Sequence, residues 1–290
     1  MRSLLSRRSA LAAAAAVAGL SLAGCGSGTT AGQASSAAST AVSKAASAAS
    51  SAAAPDVKLV KAGSLTVCTH LAYAPFQYPD DSGKVVGFDV DMMDLVAKKL
   101  GVKQEIVDTP FEGIKSGEVT KTGKCDISAA AMSITDERKK AILFSDPYYS
   151  AQQGLLLPAN STVKSLADLK GKKLGAQSAT TGLDYANAQK AANGYEVIEF
   201  QDLPSQQQAL LTGQVDAAIN DVPVWTDLVK KSPGKAIVGP QFDTGDNYGF
   251  GMKLENAALK KVVDEVLKQA KSDGSYATIY KKWIGTEPPK

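Results

Sequence analysis

Histidine and cysteine are scarce. His70 is the single histidine of the 290 residues, and there are three cysteines. One histidine excludes a metal centre built on two or three imidazoles, and there is no H-E-x-x-H pair. No G-x-S-x-G turn and no phosphate-binding G-x-x-x-x-G-K-[ST] loop occurs, which removes the common hydrolase and nucleotide readings. Past the first 25 residues no apolar run reaches 18, so no membrane-spanning helix is expected there. An excess of positive charge is also missing where it would matter. The whole chain is +3, with 32 basic and 29 acidic residues. Four basic residues (Arg2, Arg7, Arg8 and Lys44) lie in residues 1–55, which hold no acid. Residues 56–290 therefore hold 28 basic against 29 acidic residues, a net of −1. With no basic patch and no interleaved aromatic array, nucleic acid is not an expected partner.

What is present begins at the amino terminus. Arg2, Arg7 and Arg8 precede an apolar stretch over 10–22, too short to span a bilayer comfortably. The run Leu22-Ala23-Gly24-Cys25 then resembles a bacterial lipobox. That resemblance implies a leader over 1–24, cleavage before Cys25, acylation of its thiol (palmitate), and an extracytoplasmic protein anchored to the cell membrane. An ordinary secretory leader is the alternative, and Arg7-Arg8 gives weak support for twin-arginine export. Residues 26–55 are almost wholly Ala, Ser, Gly and Thr with Lys44 as the only charge. Such a stretch has too little apolar bulk to fold on itself. Residues 25–55 read as a tether, and about 30 flexible residues reach on the order of 30 Å.

The remaining 235 or so residues suffice for one large domain or two modest lobes. Strands are expected at 64–69, 85–88, 126–132, 173–177 and 215–220. Helices are expected at 89–100, from Thr135, from Thr181, at 222–230 and at 254–272. The 89–100 helix rests on Val90, Met93, Ala97 and Leu100 at helical spacing, acids at its start and Gly101 at its end. Alternating strands and helices imply largely parallel α/β sheets. Asp80-Asp81-Ser82-Gly83 reads as a hairpin turn. Cys68 and Cys125 form an even pair in an oxidising compartment, which reads as a disulfide, with two buried thiols as the alternative.

Five segments then stand in order and register. They are Tyr73-Ala74-Pro75-Phe76, Gly87-Phe88-Asp89-Val90-Asp91-Met92, Ile134 to Lys139 followed by Phe144-Ser145-Asp146-Pro147-Tyr148-Tyr149, Asp216 to Asp221, and Tyr248-Gly249-Phe250-Gly251. Together they resemble the family 3 extracellular solute-binding proteins, the amino-acid-binding components of ABC importers. The resemblance covers about 63–285. It implies a two-lobed, periplasmic-binding-protein-like α/β fold (type II) with the ligand cleft between the lobes. Lobe 1 would comprise 56–150 and 244–290, and lobe 2 would comprise 151–243. Two hinge strands would lie near 151–155 and 243–249. The expected partners are a free amino acid and an ABC permease in the cytoplasmic membrane, with the protein a monomer that carries no cofactor and no metal.

A free amino acid needs donors for its carboxylate, a negative acceptor for its ammonium and a pocket for its side chain. Arg138 suits the carboxylate, since guanidinium offers two parallel donors. Ser133 would add a hydroxyl and an N–H. Without the resemblance, Arg138 would instead read as a surface cation paired with Asp136 or Glu137. Thr180 and Thr181 open a helix whose free N–H groups suit an anion, or are simply capping threonines. The loop departs from the commoner Gly-Thr pattern, which leaves the two threonines interchangeable. Asp221 would take the ammonium, or cap the helix holding Pro223, and the Ala131 carbonyl is a second acceptor. His70, Tyr73, Phe111, Gln177 and Asn220 would meet the side chain, with Tyr73 and Phe111 as apolar walls or lobe core. Several relatives carry Asp at the His70 position, so its replacement argues against a purely cationic ligand, though Glu112 nearby could restore charge. Gln177 and Asn220 suggest a polar ligand. The 87–92 stretch reads as structural. Two other readings stand beside this one: a sensor domain for a membrane receptor, and a dehydratase-type enzyme for which Glu112 is the only nominee as acid.

Overall fold

A computed structural model describes residues 57–289. The leader over 1–24, Cys25 and the tether over 25–55 lie outside the described residues. Among the described residues, no helix is long and apolar enough to cross a membrane.

The first lobe is built on a sheet that starts with β1 (Ser64–Thr69). A hairpin of β2 (Tyr78–Pro79) and β3 (Val85–Val86) follows, with Asp80–Lys84 closing its turn. Helix α1 (Phe88–Leu100) then buries Phe88, Met92, Met93 and Val96. Each such side chain contributes about 1.5–3 kcal/mol when buried. The helix starts one residue earlier than its apolar spacing suggested, because Gly87 at φ 141 makes the bend. A Cβ at Gly87 would collide with the Phe76 carbonyl, so only glycine fits there. Next come β4 (Lys103–Asp108), α2 (Phe111–Lys115), α3 (Glu118–Lys121), β5 (Ile127–Ser128), α4 (Asp136–Lys139) and β6 (Leu143–Phe144).

Two long strands join this lobe to the second. β7 (Tyr149–Pro158) leads out. β8 (Lys173–Gln177), α5 (Thr181–Asn193), β9 (Glu196–Phe200), α6 (Leu203–Leu211), β10 (Ala217–Asp221) and α7 (Val222–Lys231) then follow. β11 (Ala236–Tyr248) returns. β12 (Gly251–Met252), α8 (Ala257–Asp273) and α9 (Ser275–Ile284) complete the first lobe.

The first sheet has the order β4-β1-β5-β12-β6 and the second β11-β7-β10-β8-β9. Each has a parallel half, in β4-β1-β5 and in β10-β8-β9. The β5–β12, β12–β6, β10–β7 and β7–β11 pairs are antiparallel. The sheets are therefore mixed, not wholly parallel. β7 and β11 pair from Tyr149↔Tyr248 to Pro158↔Ala236, with register shifts after Val238 and Phe242. Phe76, Phe88, Tyr148, Tyr149, Tyr248 and Phe250 pack ring on ring where these strands meet the first lobe.

Cys68 and Cys125 are joined by a disulfide, their Cα atoms 5.7 Å apart and 57 residues apart in sequence. It ties the end of β1 to the loop before β5. β5 is only two residues long, against the seven expected over 126–132. The difference has a cause. After Ser128 the chain leaves the ladder, and Ala131 takes φ 46 to turn toward the space between the lobes.

Candidate functional site

The carboxyl ends of the parallel strands face a space between the lobes, where backbone N–H groups and helix starts converge. Its walls include His70, Tyr73, Phe111, Ala131, Ser133, Arg138, Gln177, Thr180, Thr181 and Asp221. About 350 Å³ is free of protein atoms there, part of it open solvent.

Arg138 is 7 % exposed. Thr135 caps α4 by accepting from the Arg138 backbone N–H, and this short helix aims the guanidinium inward. Nη1 donates to the Ser133 carbonyl at 2.8 Å and Nη2 to the Ala179 carbonyl at 3.0 Å. The ring of Phe111 lies under the guanidinium, 5.6 Å from centroid to Cζ. The surface-pair alternative does not hold, since Asp136 pairs with Lys139 and Glu137 with Lys140. Burial pushes the guanidinium down from its ordinary value, while Asp184, Asp246 and Asp221 oppose this. A guanidinium has five N–H donors, so two carbonyl partners leave donors for an anion.

The Ser133 hydroxyl lies 3.3 Å from that of Thr181 across the cleft. Thr180 caps α5, accepting from the Leu183 N–H at 3.1 Å and donating to the Gln177 carbonyl at 2.7 Å. The Thr180 hydroxyl is thus committed to the loop. Thr181 presents its hydroxyl and lies at the first turn, where N–H groups have no helical partner.

Asp221 ends β10 and begins α7, but its side chain does not cap the helix. Its buried carboxylate accepts from Tyr248, from Tyr73 at 2.7 Å and from Gln153. Burial raises its carboxyl from 3.8 to about 6, against the hydrogen bonds from Tyr248 and Tyr73. The cleft therefore holds a buried cation from one lobe and a buried carboxylate from the other. Tyr73 Oη is also 2.7 Å from Asn220 Oδ1. Tyr73–Asp221, Ser133–Thr181 and Arg138–Ala179 are all contacts from one lobe to the other, so the cleft is closed.

Asn220 does not line the space. Its amide donates to Gln177 and Gln206, which tie it into the second lobe behind the wall. Gln177 and Phe111 do line it. Glu112 does not. Its side chain is 70 % exposed and sits near Lys115.

Two residues escaped the sequence reading. Gln77 is 1 % exposed and lines the cleft. A tight loop, with Tyr73 N–H to the Gln77 carbonyl and Gln77 N–H to that of Tyr73, turns both side chains the same way. No periodicity marks such a loop. Asp89, in the stretch read as structural, is 1 % exposed and accepts from the Ala131 N–H at 2.8 Å and from Tyr148 at 2.7 Å. It does not reach the cleft but holds the Ala131 turn that lines it. Burial raises its carboxyl from 3.8 to about 7.

Residues 65–286 match the model of the bacterial extracellular solute-binding proteins, family 3. The L-cystine-binding protein TcyJ of Escherichia coli strain K12 is 32 % identical over 236 residues, covering 80 % of this chain and 87 % of that protein. An ancestral arginine-binding protein, solved with arginine and with glutamine, superposes with a TM-score of 0.72 at 38 % identity. The arginine complex covers 76 % of this chain and 98 % of its own. The ancestral amino-acid-binding protein AncCDT-1, described as a precursor of cyclohexadienyl dehydratase, gives a TM-score of 0.71 at 35 % identity over 77 % and 96 % of the two chains. The chain belongs to the family 3 extracellular solute-binding proteins.

Proposed function

We propose that the protein captures one free amino acid with a polar side chain between its closing lobes and delivers it to an ABC permease. The opposed, buried charges of Arg138 and Asp221, set on different lobes of one small cleft, carry this reading. They match the two charges that every free amino acid bears. Arg138 and Ser133, with Thr181 and the start of α5, take the carboxylate. Asp221 and the Ala131 carbonyl take the ammonium. Tyr73 and Phe111 flank the ligand, and His70 and Gln177 meet its side chain. Lobe 2 over 151–243 closes on lobe 1 over 56–150 and 244–290, with β7 and β11 as the hinge. That is ligand binding coupled to rigid-body motion, with no bond made or broken.

The protein works outside the cytoplasm as a monomer, held to the membrane by acylated Cys25 and the 25–55 tether. Relatives that are binding proteins support a role without catalysis, and the outward, lysine-paired Glu112 leaves the dehydratase reading without its nominated acid.

The test is a thermal-shift panel on protein unfolded and refolded to remove carried-over ligand. Ligand at about 100 times its Kd adds on the order of 2.7 kcal/mol. A shift with one or a few amino acids supports the reading. No shift with any amino acid contradicts it.

A further inference from the structure

His70 and Gln77 both line the cleft that holds the charge pair, and the Gln77 amide approaches the His70 backbone. His70 Nδ1 lies 3.1 Å from the Thr109 carbonyl oxygen. A carbonyl oxygen only accepts, so Nδ1 holds the proton, and in the neutral ring Nε2 is an acceptor. Nε2 is buried and has no hydrogen-bond partner among the described residues. Gln77 repeats the pattern. Its Nε2 lies 3.5 Å from the His70 carbonyl oxygen, a long contact that favours this amide orientation over the reverse. Its Oε1 is then an acceptor, also buried and without a partner among the described residues. A buried, unmatched acceptor costs free energy, so a matched ligand is strongly preferred to one that leaves it bare.

Neither acceptor atom carries a negative charge. The acid lining the cleft, Asp221, is bonded to Tyr73, Tyr248 and Gln153 and assigned to the ammonium. Glu112 points outward. A side-chain carboxylate would bring oxygen against two acceptors. A guanidinium or ammonium would be buried against acceptors that carry no charge to offset it. A carboxamide supplies two N–H donors from one uncharged nitrogen.

On the reading that the cleft binds a free amino acid, we infer that the preferred ligand ends in a carboxamide, its NH₂ taken by His70 Nε2 and Gln77 Oε1. Gln77 is thereby a specificity-determining residue.

The experiment is calorimetric titration of the refolded protein, in mildly alkaline buffer, with L-glutamine, L-asparagine and the remaining protein amino acids and L-cystine. The expected result is that glutamine or asparagine binds tightest, at least about tenfold tighter than glutamate, aspartate or arginine. In Gln77→Glu, the preference for glutamine over arginine should fall at least about tenfold. A purely structural role would weaken both ligands and leave their ratio unchanged. Gln77→Met, of similar volume, is the second variant, and its preference for glutamine over methionine should fall about tenfold. Tightest binding of an amino acid without a side-chain carboxamide, or ratios unchanged in both variants, overturns the inference and leaves the amino-acid reading standing. Failure of every amino acid to bind overturns both.

Discussion

At the scale of residues, the site joins groups that each pay a burial cost and are offset by specific partners. Asp221 shows the consequence for pH. Its carboxyl is raised from 3.8 to about 6 in the folded protein. Between those values the folded state holds more protons than the unfolded chain, so unliganded stability should fall as pH rises through that window. Asp89, raised to about 7, acts in the same direction. Ligand affinity should run the other way, because the ammonium needs an ionised partner. Affinity should decline by up to about tenfold per pH unit below about 6. A titration of Kd against pH checks this, and Asp221→Asn should lose both most of the affinity and the dependence. Asp89 tests positioning at a distance. Asp89→Asn keeps one acceptor and loses another, freeing either the Ala131 N–H or the Tyr148 hydroxyl. Amino-acid affinity should drop about tenfold in calorimetry although Asp89 does not line the cleft.

At the scale of elements, legibility followed the cause of each element. The strand over 173–177 and the α5 start at Thr181 were readable because local pattern and tertiary role agree there. The expected strand over 126–132 was not, because Ala129 to Ser133 carry strand-like small residues yet serve the cleft as irregular backbone. Asn220 looked like a wall residue from its strand-end position, but the Gln177–Asn220–Gln206 network draws it inward. Gln77 was missed since its loop is fixed by two backbone bonds that no residue pattern signals. Arg138 and Asp221 were nominated through the family resemblance and the charges a free amino acid presents, and both line the cleft. The disulfide acts at this scale too. It closes a 57-residue separation between β1 and the loop before β5, for which chain entropy suggests about 4 kcal/mol. Cys68→Ser with Cys125→Ser should lower Tm by about 10 °C in a thermal melt.

At the scale of the molecule, two mixed sheets and two long connecting strands place opposite charges on bodies that meet over one cleft. The attachment proposed for acylated Cys25 should be independent of binding. Cys25→Ala should move the protein from the membrane fraction to the soluble one while its amino-acid affinity stays unchanged, as fractionation and calorimetry on the same variant would record. On the proposed function, the lobes close on a free amino acid held through its carboxylate by Arg138. The most direct measurement is calorimetric titration of the refolded protein and of Arg138→Ala with the full set of amino acids. The account predicts tight binding of at least one by the unaltered protein and a loss of roughly 2–5 kcal/mol in the variant. Binding of equal strength in Arg138→Ala, or none in the unaltered protein, would contradict it.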